Sequence, residues 1–290
     1  MQHALIIQGG GFRTAFSAGV LDAFMEKKFN PFDLYVAVSG GAIAASYFLS
    51  RQPNFCMDSI YFLSEKGRFV NYSNVLRNKP IMNIDVFYDI ANTHFPFDDA
   101  AAIKNLEGKK FRIVMTNKLT GEACYCDPVQ TNWREAVMAS CALPFLSKGK
   151  QQVNGQDFMD GAWGDPLPVE WTADQGVSEI TIVRTSPPEQ KISKSWIDFM
   201  GEMYYRKNEK LKMAFTRNHE LYNKSIDFLC RPPEGITINQ IAPESPLRAG
   251  EFTKSKKLLE EDYLNGFYSG IAHIESVKNA LLRNEKDKLR

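Results

Sequence analysis

Ser39 stands between an apolar run, Asp33-Leu34-Tyr35-Val36-Ala37-Val38, and the small pair Gly40-Gly41. A serine at a sharp strand-to-helix turn exposes its hydroxyl, and the helix N-terminus that follows offers unpaired N–H groups to negative charge. A second turn, Gly9-Gly10-Gly11, ends an earlier apolar run, and residues without side chains there can aim successive N–H groups at an oxyanion or a phosphate. Far downstream, Asp160-Gly161 places a carboxylate at a turn. An oxyanion hole, a serine nucleophile and a base in this order point to acyl-ester hydrolysis.

Each piece also has a plainer use. Ser39 could be a helix N-cap, and Asp160-Gly161 an ordinary turn dipeptide. The glycine run could hold a phosphate, which keeps a nucleotide- or phosphate-binding module as the alternative. The dinucleotide fingerprint G-x-G-x-x-G, however, meets Thr14 at its sixth position, and no P-loop lysine follows. Arg13 could pin the glycine loop or face an anionic head group through its guanidinium donors. Histidine is the usual base for a serine, but the chain has only His3, His94, His219 and His273, and neither His219 nor His273 lies in a glycine- or proline-marked loop. That leaves Asp160, whose ordinary pKa of about 3.9 would rise beside an apolar acyl pocket. Asp165 is its nearest acidic competitor.

Two consecutive strand–turn–helix units position the first two turns. Ala4 to Gln8 reads as a strand and Phe16, Val20, Leu21, Phe24 and Met25 recur at helical spacing; Asp33 to Val38 and Ala42 to Leu49 repeat the pattern. Such units imply a parallel sheet covered on both faces. The aromatic-rich residues 54–106 read as mostly helical. Phe111 to Asn117 and Glu122 to Asp127 flank a glycine-bearing turn and read as a hairpin. Arg134 to Ala142 reads as a helix stopped before Pro144. Asp160 is expected in a loop, followed by a short helix and the strand Ile180 to Val183. From Trp196 the chain turns helical, with a strand at Ile236 to Ile241 and a last helix whose apolar stripe is Leu259, Tyr263, Phe267, Ile271, Ile274 and Leu281. Ser186 to Gln190 is the best boundary, giving a core of residues 1–185 and a mostly helical extension, 186–290, packed on it.

With 290 residues, 44% of them hydrophobic, the chain can bury a large core. A net charge of +1 without a basic block gives no footprint for nucleic acid. Ala4-Leu5-Ile6-Ile7 is too short for a secretory signal, and no run reaches the ~18 apolar residues of a membrane span. The cysteines at 56, 124, 126, 141 and 230 form no secreted framework and fit free thiols in a cytoplasmic protein. Cys124-Tyr125-Cys126 alternates along a strand without further ligands, so no metal is assigned. Trp196, Phe199, Met200 and Met203, followed by Arg206, Lys207, Lys210 and Lys212, could meet a membrane surface, but docking onto the domain itself is expected.

In these residues the chain resembles the patatin-like phospholipase family of bacterial lipid acyl hydrolases. Gly9-Gly10-Gly11-Phe12-Arg13 resembles its G-G-G-x-[RK] segment, Ala37-Val38-Ser39-Gly40-Gly41 its G-x-S-x-G, Ala139 to Pro144 its A-S-x-A-x-P, and Asp160-Gly161-Ala162 its D-G-[GA]. Ala37 departs from the first elbow glycine, and Thr14 stands where many members carry another glycine. The resemblance implies a three-layer α/β/α sandwich with a mainly parallel sheet and a cofactor-free Ser39–Asp160 dyad. Gly10, Gly11 and Gly40 would hold the oxyanion, and a lipid acyl ester would be the substrate. Contact of the Trp196–Met203 face with the inner membrane surface is the one peripheral membrane option the residues offer. A catalytically silent, lipid-binding relative is the second alternative.

Overall fold

A computed structural model describes residues 2–65, 69, 81–147 and 151–288, without the side chains of 284–288. β1 (His3–Ile7), α1 (Thr14–Glu26), β2 (Leu34–Val38) and α2 (Gly40–Leu49) form the expected pair of strand–helix units. Both strands are buried almost throughout, as parallel strands covered on both faces must be. Helices α3 (Phe55–Ser64), α4 (Val86–Asp89), continued by one π-turn, and α5 (Asp99–Asn105) occupy the aromatic stretch. The rest of its expected helical content, 66–68 and 70–80, lies outside the described residues.

β3 (Lys110–Asn117) and β4 (Ala123–Cys126) make the expected hairpin, followed by α6 (Trp133–Ser140), whose N-cap is Asn132. A second hairpin pairs β5 (Gln151–Val153) with β6 (Gln156–Asp160). Then come α7 (Val169–Ala173), β7 (Glu179–Val183), α8 (Trp196–Tyr204), α9 (Glu209–Cys230), β8 (Thr237–Ile241) and α10 (Lys256–Lys288). Among the described residues these strands build one mixed sheet in the order β5-β6-β3-β2-β1-β7-β8, with β4 beside β3. The run from β3 through β2, β1 and β7 to β8 is parallel.

Alternation along the strands splits the core between two layers. Leu5, Ile7, Tyr35, Ala37 and Ile113 face one side, packed with α1 and α2 residues such as Phe16, Phe24 and Phe48. Ala4, Ile6, Val36, Val114 and Ile182 face the other, covered by Leu167, Val169 and the α9 residues Tyr222, Ile226 and Leu229. The sheet is therefore sandwiched between helical layers, and the helical C-terminal part adds both a strand and a cover to it.

In three places the structure departs from the sequence reading. Asp160 ends strand β6 instead of sitting in a loop, because Met115 of β3 pairs with it directly. Leu281 is 59% exposed, since α10 outruns α1, the helix it packs against, whereas Leu259 and Ile274 are buried. The stripe of α8 points outward, with Trp196, Phe199, Met200 and Met203 all between 46% and 68% exposed. The inward face of that helix is instead built from Asp198 and Gly201, both buried.

α10 lies against α1 closely enough that only hydrogen fits at the crossing. A Cβ on Gly266 would stand 1.9 Å from the Phe16 carbonyl oxygen, and one on Gly19 2.0 Å from that of Tyr263. Forcing a branched side chain there must separate the helices, at a cost of ~2–3 kcal/mol or more. Gly266→Val is accordingly expected to lower the thermal midpoint clearly, whereas Gly250→Ala, with open space around its Cβ position, leaves it unchanged; calorimetry of the two variants checks this.

Candidate active site

One edge of β3 brings the two chemically important side chains together. β2 runs parallel along it and ends where Val38 pairs with Val114; β6 arrives antiparallel and ends where Asp160 pairs with Met115. β4 occupies the opposite edge at Ile113 to Thr116, so β2 and β6 meet end to end on the same side. Ser39, the first residue after β2, therefore faces the last residue of β6. Its Oγ donates to Asp160 Oδ2 at 2.7 Å.

The backbone at Ser39 has φ 53° and ψ −130°, a conformation that costs a residue with a side chain ~1–3 kcal/mol. Its hydroxyl does not cap α2, so the N-cap reading does not hold. The strained turn is held from both sides. The Ser39 N–H donates to Ser140 Oγ at 2.8 Å, and Ser140 in turn donates to the Val114 carbonyl at 2.7 Å. Tight packing does the rest: a Cβ on Gly41 would lie 2.4 Å from the Ile7 carbonyl oxygen, and one on Gly9 2.9 Å from the Ser39 Cβ. Ala37 needs no such room, since its methyl is absorbed in the core. Thr14 is also accommodated, with its Oγ1 2.4 Å from where a Gly40 Cβ would be.

Asp160 is 1% exposed, and four hydrogen bonds position it. Oδ2 accepts from Ser39, Oδ1 from the Ala162 N–H at 2.9 Å, its carbonyl from Thr116 Oγ1 at 2.7 Å, and its own N–H reaches the Ala142 carbonyl at 2.9 Å. Burial pushes its pKa up to about 7, against the hydrogen bonds from Ser39 and Ala162; the negative charge of Glu251 adds to the rise. Asp165 is separated from Ser39. It accepts from the Tyr125 hydroxyl at 2.6 Å on the other layer. None of the histidines lines the cavity, and His273 packs against Phe24 and Phe29.

The triglycine turn faces the same point. Gly9, Gly10, Gly11 and Gly40 line one cavity with Ser39 and Asp160, and Gly40 opens α2, where the first N–H groups have no intrahelical acceptor. Thr185 locks the turn: its Oγ1 donates to the Gly9 carbonyl at 2.7 Å and its N–H to Gln8 Oε1 at 3.1 Å. Arg13 binds its Nε–H to the Gly10 carbonyl at 3.2 Å and pairs with Glu251 at 2.8 Å, while the Glu251 carbonyl accepts from the Phe12 N–H at 3.0 Å. The guanidinium is thus a loop anchor.

The cavity measures about 560 Å³. Most of its lining is apolar, Ile43, Ile60, Leu63, Met82, Phe97 and Val137 among it, and Ser186, Gln190, Ser193, Ser195 and Asn218 are polar members. Cys141 also lines it, but burial and the neighbouring Asp160 charge hold that thiol well above its ordinary pKa, neutral and a poor nucleophile. The supporting residues Gln8, Thr116, Thr185 and Glu251 carry no local sequence signal, and Ser140 has one in its place in the Ala139–Pro144 block.

A profile of the patatin-like phospholipase family matches residues 5–172, and a profile described as a domain of unknown function, DUF6363, matches residues 208–282. The uncharacterized protein YjjU of Escherichia coli strain K12 is 29% identical over 280 residues, which span 96% of this chain and 78% of that protein. Among solved structures, VipD from Legionella pneumophila aligns with a TM-score of 0.47 and 12% identity, covering 95% of this chain and 67% of that one. The family profile spans more than half the chain, including both glycine turns, Ser39 and Asp160, so this protein belongs to the patatin-like phospholipase family.

Proposed function

We propose that this chain is a serine esterase of phospholipase A type that hydrolyses lipid acyl esters with a Ser39–Asp160 dyad. The observation that carries the reading is the 2.7 Å hydrogen bond from Ser39 Oγ to a buried carboxylate in a cavity whose lining is mostly apolar. The fatty-acyl chain lies against the apolar residues of the lining, such as Ile43, Ile60 and Leu63. Ser39 Oγ attacks the ester carbonyl as its proton passes to Asp160 Oδ2. The carbonyl oxygen becomes an oxyanion held by the amides of Gly10, Gly11 and Gly40, whose preorganised dipoles stabilise the transition state more than the substrate. Collapse of the tetrahedral adduct breaks the ester C–O bond, and the leaving alcohol takes the proton from Asp160. Water, deprotonated by Asp160, then attacks the acyl-serine and releases the fatty acid, returning the proton to Ser39.

Several features support these roles. The carboxylate is shielded enough to be a competent base near neutrality, which an exposed aspartate is not. Gly9, Gly10 and Gly11 line the same cavity as Ser39 and Asp160, which favours an oxyanion role over a separate phosphate cradle. Strain at Ser39 keeps its hydroxyl off the helix and aimed at the base.

A fluorophosphonate probe is expected to label the wild-type protein and not Ser39→Ala. Hydrolysis of nitrophenyl esters should fall about 10³-fold or more in Ser39→Ala and in Asp160→Asn; a folded wild type that neither labels nor hydrolyses any ester of a chain-length series would overturn the assignment. The base must be ionised, so kcat/KM should drop about tenfold per pH unit below the Asp160 pKa of about 7 and level off above it. The raised pKa also has a sign for stability: the contribution of Asp160 is full in acid and is lost as pH rises through about 7. Asp160→Asn should therefore melt above wild type at about pH 8 and show no such advantage in acid, as thermal scans across pH would reveal.

A further inference from the structure

We propose that the outward face of α8 is a docking surface for an anionic lipid bilayer, placed beside the mouth of the Ser39 cavity. Trp196, Phe199, Met200, Met203 and Tyr204 recur at the spacing of a single helix face, and that spacing ordinarily marks the side turned to the core. Here the same five residues are 46–70% exposed.

The reversed orientation is built in. The inner face carries Asp198, 3% exposed, whose Oδ1 accepts from Trp163 Nε1 at 2.9 Å and whose Oδ2 accepts from the Ser195 N–H at 2.9 Å in a capping box. One turn on, Gly201 lies so close to the Phe215 ring that a Cβ would meet it at 2.1 Å. Rotating the apolar stripe inward would break the Asp198 bonds and drive bulky side chains into that ring. The sequence therefore specifies an outward apolar face at a real cost in exposed surface.

Charge decides the occupant. Arg206 and Lys207 follow the helix directly and Lys210 sits in the first turn of α9; all are exposed, and none forms an ion pair among the described residues. Tryptophan and tyrosine beside basic residues suit the headgroup level of an anionic bilayer. No described helix is long and apolar enough to cross a membrane, so the contact is one of surface insertion. Ser195, Trp196, Ile197 and Asp198 also line the cavity, so the helix that would rest on lipid forms its rim. The benefit to catalysis rests on the esterase reading; the binding itself does not.

The test is cosedimentation of the full chain with vesicles of phosphatidylcholine alone and of an equal mixture with phosphatidylglycerol, alongside Phe199→Glu/Met203→Glu and Lys207→Ala/Lys210→Ala. Wild type is expected to pellet with the mixed vesicles and much less with the neutral ones. The glutamate pair should abolish binding, and the alanine pair should weaken it by about fivefold per lysine removed. Hydrolysis of a water-soluble short-chain ester, measured in parallel, should be unchanged in both variants, whose residues lie outside the cavity wall. Equal binding of wild type and the glutamate variant, or no binding to the mixed vesicles, overturns the proposal. So does a wild-type dimer in sedimentation equilibrium that the glutamate pair dissociates, which would assign the face to a second copy. A wild type that hydrolyses the ester but binds no vesicles removes the docking surface alone; a wild type that binds vesicles but hydrolyses no ester removes the esterase reading alone.

Discussion

Along a single edge of β3, β2 and β6 abut end to end, and the hydrogen bond between Ser39 Oγ and Asp160 Oδ2 forms at that seam. The two side chains are 121 residues apart in sequence, yet consecutive positions of one strand, Val114 and Met115, set their separation. A shift of either strand by one residue would turn its side chains to the other face of the sheet. Side-chain bonds outside the ladder oppose such a slip, with Ser140 Oγ accepting from the Ser39 N–H and Thr116 Oγ1 donating to the Asp160 carbonyl.

Burial at the seam shapes the chemistry. A carboxylate taken out of water holds its proton more tightly, and the Asp160 environment moves it from the acid range to neutrality while two hydrogen bonds keep part of the charge stabilised. The same burial suppresses the Cys141 thiol close by. Desolvation thus raises the proton affinity of the aspartate and of the thiol alike, and it is the aspartate that accepts the Ser39 hydroxyl proton in a hydrogen bond. The strain at Ser39 is sustained by groups from distant parts of the chain, Ser140, Gly9 and Gly41 among them.

The segments after β7 complete and anchor this arrangement. β8 extends the parallel sheet, α9 covers the face opposite α1 and α2, and α10 packs on α1 through glycine contacts. Arg184, fully buried and bonded to Ser186, Gln240 and Tyr222, ties β7 to β8 and α9. Between α9 and α10, Glu251 reaches back to the triglycine turn, so the anchor of a motif near the N-terminus comes from a residue 238 positions later.

Local sequence was enough wherever a backbone needs a particular residue type or a face needs a particular period. The glycines at 9–11 and 40–41, the serine at the elbow, the Asp-Gly pair and the alternating strand and helix patterns mark themselves this way, and with them the parallel α/β plan. Ala37 could not be judged from sequence, because whether a methyl fits depends on what lies across the gap; in the fold the close approach falls on Gly9 and Gly41 instead. Nor could Asp160 be placed at a strand end, the supports Gln8, Thr116, Ser140, Thr185 and Glu251 be found, or the outward turn of α8 be foreseen. Those depend on which residues meet across 44 to 238 positions of chain, and on whether an inward slot is filled by Asp198 and Gly201 or by an aromatic ring. Composition and periodicity carry the first kind of information; strand register and close packing, which exist only once the chain has folded, supply the second.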